Sequence, residues 1–173
     1  MKDAMEVLLH RRSVRRYTDK KVPREELDRI LEVGTYAPTG GGRQKVRIVA
    51  VQDPDDVSTV KKLNAAVMGR DTDPYYGAGT IVIVFAEADN GNAQLDGAAV
   101  CTNMLNAVEA LGLGACWINR SKEVFAGEDG KKLLKKWGLP EDLVGVASFS
   151  LGYTEGDYPV PAPRRPDYVT LVL

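Results

Sequence analysis

Histidine is almost absent from this chain: His10 is the only one among 173 residues. That single imidazole stands beside Arg11 and Arg12, and no serine-elbow motif occurs elsewhere, so a histidine-based metal site and a Ser-His-Asp hydrolase both lack their usual parts. Cysteine is nearly as scarce. Cys101 and Cys116 sit in the apolar stretches Val100-Cys101-Thr102 and Ala115-Cys116-Trp117, where buried free thiols are expected rather than a disulfide framework. No apolar run approaches the roughly 20 residues that span a bilayer. The charged start Met1-Lys2-Asp3-Ala4 also lacks the apolar core of a signal peptide, so the expectation is a cytoplasmic protein with no membrane association. An excess of either charge is missing too: 23 Lys and Arg oppose 24 Asp and Glu, which gives no global attraction for nucleic acid. Any anion site must be local. Gly112-Leu113-Gly114 lacks the third glycine of a dinucleotide fingerprint, because Trp117 takes its place, and there is no Gly-Lys-Ser or Gly-Lys-Thr phosphate loop. Redox chemistry, if present, would have to come from an organic cofactor whose own atoms do the work.

What is there is one domain's worth of alternating elements. With 44% hydrophobic and 27% charged residues the chain can build a single core. Residues 3–10 predict a short helix with Met5, Leu8 and Leu9 on one side. Pro23 to Val33 predicts a second helix, with Pro23 at its first position, Leu27, Ile30 and Leu31 as its apolar face, and Gly34 stopping it. Val46 to Val51 reads as a strand, and residues 53 to 68 as a helix followed by a polar loop through Tyr76. The unalternating apolar run Thr80 to Ala86 reads as a central strand covered on both faces. Small and apolar residues at nearly every position from Ala93 to Leu111 predict a buried helix, the spine of the fold. A short strand around Ala115 to Ile118, a helix from Asp129 to Trp137 and a strand from Val144 to Leu151 complete the domain. The tail carries Pro159, Pro161, Pro163 and Pro166, so it cannot be helical, yet Tyr168 to Leu173 has strand character. An extended arm docking on another surface is expected.

Three local features could hold a cofactor. The run from His10 to Arg16 packs four guanidinium groups and a hydroxyl into seven residues, suited to bidentate phosphate recognition, although read alone a solvated surface run is the better reading. Thr39-Gly40-Gly41-Gly42 could admit a flat ring or a ribityl chain against bare amides, or be a flexible turn. Trp117 with Ile118 and Asn119 offers an apolar wall and backbone donors at a strand end, and a core tryptophan explains it as well.

Their order along the chain resembles the nitroreductase family of FMN-dependent oxidoreductases, over nearly the whole length. The matching pieces are Arg11-Arg12-Ser13-Val14-Arg15, the stretch from Ala37-Pro38-Thr39-Gly40 to Gln44, the Ala-rich helix leading into Gly112-Leu113-Gly114-Ala115-Cys116-Trp117-Ile118, and Leu151-Gly152-Tyr153 before a Pro/Arg tail. The resemblance implies an α+β, three-layer nitroreductase-like fold with a central mixed sheet flanked by helices, in an intertwined homodimer. It implies one FMN-binding domain over 1–173, with 157–173 as a C-terminal arm.

The resemblance also assigns residues. Arg11, Arg12, Ser13 and Arg15 would grip the FMN phosphate and the pyrimidine edge of the ring. Pro38, Thr39, Gly40, Gly42 and Gln44 would come from the partner subunit and lie along the flavin. Trp117, Ile118 and Asn119 would approach the ring, with a backbone amide toward N5, and Arg164 or Arg165 would reach the phosphate. The chain departs from the pattern at Gly42, where many members have asparagine, at Lys45-Val46, where many have Pro-Trp, and at Asn119, where glycine is common. The implied function is a ping-pong oxidoreductase: NADH or NADPH passes hydride to flavin N5, and a nitroaromatic, quinone or similar small-molecule acceptor then takes the electrons, with no side chain as nucleophile or general base. The alternatives are a flavin-fragmenting or dehalogenating relative, an FMN carrier reduced by a protein partner, and a non-flavin interaction protein.

Overall fold

The computed structural model describes residues 3–173; Met1 and Lys2, the start of the charged N-terminus, lie outside the described residues. Its helices are α1 (Ala4–His10), α2 (Arg24–Thr35), α3 (Pro54–Met68), α4 (Ala93–Ala110), α5 (Ser121–Ala126) and α6 (Glu128–Lys136), and its strands are β1 (Val46–Val51), β2 (Thr80–Ala86), β3 (Gly114–Ile118) and β4 (Val144–Gly152).

The apolar run of β2 is central because all seven of its residues are buried, and the sheet order β1-β2-β4-β3 puts β2 and β4 inside. Side chains alternate across a strand, and here the alternation sorts two cores. Val82 and Val84 pack with Leu27 and Ile30 of α2 and with Val100, Met104 and Val108 of α4. Ile81, Ile83 and Phe85 pack with Val57 and Val60 of α3, Phe125 of α5 and Leu134 of α6. Helices therefore cover both faces, which makes the three layers expected from the sequence. The sheet differs from the mixed one expected. All three pairings between named strands are antiparallel, and the parallel component is one isolated bridge between Ser13 and Ala115.

Several local expectations are revised. Pro23 is extended (φ −64°, ψ 152°) and precedes α2 rather than opening it. Gly34 does not stop that helix; it lies inside the last turn, where a Cβ would come within 2.8 Å of both Ile48 Cδ1 and Met104 Cγ. Its role is close packing. α3 begins as its sequence dictates, with Pro54 in the first turn and the Asp53 carboxylate accepting from the Asp56 amide at 3.0 Å. Met5, Leu8 and Leu9 on α1 are exposed by 62%, 54% and 69%, so the apolar side of that helix is uncovered in a single chain. The tail forms no strand: residues from Val160 onward are exposed and irregular.

Candidate functional site

The basic run begins where α1 ends. Arg11 caps the helix by donating its amide to Val7 O at 3.0 Å, and the chain then runs extended along the outer edge of β3. Val14 donates its amide to Ala115 O at 2.9 Å, and a Tyr17–Thr154 bridge closes the far end. Because Val14 is buried, the residues flanking it face the other way. Arg11, Ser13 and Arg15 therefore share a face, and all three act on the Cys116 thiol: burial raises its pKa, and Arg15, Ser13 and Arg11 each oppose that rise. The Arg15 guanidinium lies 5.8 Å from the centroid of the Tyr76 ring. The groups that act on Arg15 are Tyr76, Cys116 and Tyr17, none of them a carboxylate, whereas Arg11 lines a small pocket with Arg12 and the buried Glu109.

Arg12 is differently placed. Its Nη1 donates to Leu9 O at 2.9 Å and to Arg11 O at 2.6 Å, while its backbone amide donates to the Tyr158 hydroxyl at 2.8 Å. The Tyr158 ring stacks on His10 at 4.7 Å, and His10 Nδ1 meets the buried Glu109 carboxylate at 2.7 Å. Arg12 and His10 thus tie the start of the tail to the domain.

The strand end supplies the other wall. Trp117, Ile118 and Asn119 line a cleft of about 500 Å³, opposite Tyr76 and Arg70. The Trp117 indole donates to Asn119 Oδ1 at 2.9 Å. Arg120, next along, has φ 77°, a left-handed conformation that costs a non-glycine residue about 1–2 kcal/mol. Tyr76 also has positive φ, 57°. Its loop is pinned by the Asp73 carboxylate, which accepts from the Tyr75 and Gly77 amides at 2.8 Å each and pairs with Lys61 Nζ at 2.9 Å. Arg70, Tyr76 and Arg120 were not singled out from the sequence. The available signal was a pair of tyrosines in an otherwise polar loop.

The glycine loop is ordered. Gly41 and Gly42 have φ of 62° and 66°, as does Gln44 at 54°, values that suit glycine and explain the bare run. Thr39 Oγ1 accepts from the Gln44 amide at 3.0 Å, and the buried Asp96 carboxylate accepts from the Gly40 amide at 2.8 Å. This loop precedes β1, on the sheet edge opposite β3. Three strand spacings separate those edges, roughly 14 Å. One chain therefore does not bring Pro38, Thr39, Gly40, Gly42 and Gln44 together with Arg11, Ser13 and Arg15. Arg164 and Arg165 do not reach the site either: Arg164 turns back on Ala162 O, and Arg165 pairs with Asp167 at 2.7 Å.

A three-layer α+β domain with a cationic edge strand beside an aromatic-walled cleft is the frame of a cofactor-binding enzyme. The nitroreductase family model matches residues 8–75 and 70–153, and the chain belongs to that family. A nitroreductase with bound FMN from Bacteroides fragilis superimposes with a TM-score of 0.90 at 28% identity, covering 99% of this chain and 100% of that one. A protein from Archaeoglobus fulgidus, named as an NADH dehydrogenase/NAD(P)H nitroreductase, is 27% identical over 161 residues, 91% of this chain and 88% of its own length. The NADPH-flavin oxidoreductase of Vibrio harveyi is 27% identical, covering 99% of this chain and 73% of its own.

Proposed function

We propose that this protein is an FMN-dependent NAD(P)H oxidoreductase that reduces a small aromatic or quinonoid acceptor. The observation that carries the reading is the edge segment with Arg11, Ser13 and Arg15, of which Arg15 lies 5.8 Å from the ring of Tyr76, a wall of the cleft that Trp117 also lines. Two guanidinium groups beside a hydroxyl, on a segment fixed by backbone pairing, suit a phosphate in a protein with no net positive charge. An adjoining cleft of about 500 Å³ suits a flat heteroaromatic ring. The residues present therefore fit FMN. When bound, FMN supplies the two-electron chemistry between the nicotinamide and the acceptor.

The chain's own part is to bind and orient. Arg11, Ser13 and Arg15 would hold the phosphate end and neutralise charge, and Trp117 to Asn119 would present a wall and backbone donors to the ring. Both thiols are buried. Burial pushes Cys101 up to about 12, so it is no thiolate nucleophile at neutral pH. The split between the two sheet edges, the bare apolar side of α1 and the free tail favour a homodimer whose second copy brings the loop from Pro38 to Gln44 to the cleft.

Absorption spectra of the purified protein, followed by steady-state NADH and NADPH oxidation with and without a quinone, test this reading. A flavin spectrum with acceptor-dependent turnover is expected. Bound FMN that neither nucleotide reduces would favour an electron carrier, and a protein that fails to bind added FMN would overturn the reading.

A further inference from the structure

Beneath the strand end lies a chain of buried polar side chains that the sheet and helices do not need for their own hydrogen bonding. Asn64 of α3 is 0% exposed, Tyr75 1% and Ser148 of β4 0%. Asn64 Nδ2 donates to Asn119 O at 3.0 Å and to the Tyr75 hydroxyl at 3.3 Å. The Tyr75 hydroxyl pairs with Ser148 Oγ at 2.9 Å, and Ser148 Oγ donates to Ile118 O at 3.3 Å. Arg120 Nε donates to Asn64 Oδ1 at 2.9 Å. Three elements distant in sequence thus converge on three consecutive residues, Ile118 to Arg120, the last in the left-handed conformation. A core built for stability alone would fill this volume with apolar side chains, because a buried polar network gains little and is costly if any member is lost. What this one provides is a fixed direction for the peptide groups at the cleft wall.

We propose that Asn64, Tyr75 and Ser148 are positioning residues that lock the Ile118–Arg120 turn against the cleft and thereby set the affinity and reduction potential of the flavin seated there. The inference rests on the flavin reading above. Oxidised and reduced flavin differ in charge and in hydrogen-bonding pattern, so donors displaced along one wall change the two affinities unequally. A tenfold change in the ratio of those affinities is about 30 mV for a two-electron couple.

The test compares Asn64→Leu, Ser148→Ala and Ser148→Thr with Gln52→Leu. Gln52 bridges Val22 O and Thr80 Oγ1 at 3.0 Å each, near the other end of β2, and serves as a polar control away from the cleft. Amide hydrogen exchange across 118–121 in the flavin-free proteins should quicken at least tenfold in Asn64→Leu. FMN affinity should fall at least tenfold and the potential should shift in Asn64→Leu and, less, in Ser148→Ala. Ser148→Thr, which keeps the hydroxyl, should stay near the wild type, and Gln52→Leu should lower only the melting temperature. If Asn64→Leu does not fold, the two Ser148 variants decide. Unchanged exchange, affinity and potential in the folded variants would overturn the proposal. A wild-type protein that itself binds no FMN would instead overturn the reading beneath it, and the exchange measurement would still report on the turn.

Discussion

The two edges of the sheet are finished in opposite ways. At the β3 edge the segment from Ser13 to Tyr17 bonds through the backbone to Ala115 of β3 at one end and to residues 153–155 beyond β4 at the other, and the Ile118–Arg120 turn is held from below by buried side chains. At the β1 edge no further strand is added, and the glycine loop is tied by one buried carboxylate, that of Asp96. On the proposed reading the first edge is one half of the site, fixed within one chain, and the second is a shaped piece that another copy would have to supply. A site divided in this way would couple ligand binding to assembly, because the ligand would be enclosed only when both edges met.

The most severe way to break this contrast is to remove the tail beyond its anchor. Deleting 160–173 leaves Tyr158 stacked on His10 but removes the free arm. Sedimentation should show a shift toward monomer, and FMN occupancy should fall with it. A truncated monomer that kept stoichiometric FMN would show that the β3 edge suffices alone. Next in size is Arg15→Ala. Removing a charge-assisted contact costs about 1.5–3 kcal/mol, so FMN should bind roughly 10- to 150-fold more weakly. Arg29→Ala, on the exposed side of α2, should leave the affinity unchanged, and equal losses in the two would remove Arg15 from the site.

At the other edge, Asp96→Ala strips the Gly40 amide of its acceptor and leaves the Asn90 side chain with Lys45 O alone. It should cost about 1–3 kcal/mol in chemical denaturation and weaken FMN several-fold in the dimer while leaving a monomer's β3 edge intact. The smallest effects belong to the thiols: Cys101→Ala and Cys116→Ala should each retain flavin turnover. Their signature is in stability against pH. The Cys101 thiol, held up at about 12 in the folded chain, stays protonated while the unfolded chain ionises from its ordinary value of 9.0. The folded state is therefore favoured below pH 9 and loses that advantage as pH rises toward 12. Cys101→Ala should flatten this alkaline decline in melting temperature.

Elements carried by short-range pattern are legible in the sequence. The run from Thr80 to Ala86 matches β2 to the residue, and the small-residue stretch from Ala93 matches α4 within one, because burial on both sides leaves an unbroken apolar signature. α5 was missed: six residues carry too few turns for a periodicity to declare itself. Gly34 was misread because a glycine that ends a helix and one that lets a strand approach look alike in sequence. At the site, the arginine cluster and Trp117 were visible as local concentrations of chemistry. The Asn64–Tyr75–Ser148 chain was not, since it is assembled from residues 11 and 73 positions apart, and nothing local marks a polar residue as buried. Nor did the basic run disclose that Arg11 and Arg12 would be half-buried while Arg15 stayed exposed at the edge.

The stacking of Tyr158 on His10 fixes the pivot of a tether. Beyond Pro159 the 14 residues from 160 to 173 include Pro161, Pro163 and Pro166, which favour an extended polyproline course of about 3.1 Å per residue. Straightened beyond the turn that Tyr168 N closes onto Arg165 O, the arm would reach on the order of 43 Å, against a radius of gyration of roughly 16 Å for a domain of this length. A strap that long can cross the whole face of a neighbouring copy. Because its prolines have already surrendered much of their conformational freedom, it loses little entropy on landing. In the proposed homodimer its apolar end, Val169, Leu171, Val172 and Leu173, would be delivered at a high effective concentration once the two bodies touched, so the clasp should close after the first encounter and chiefly slow the partners' separation.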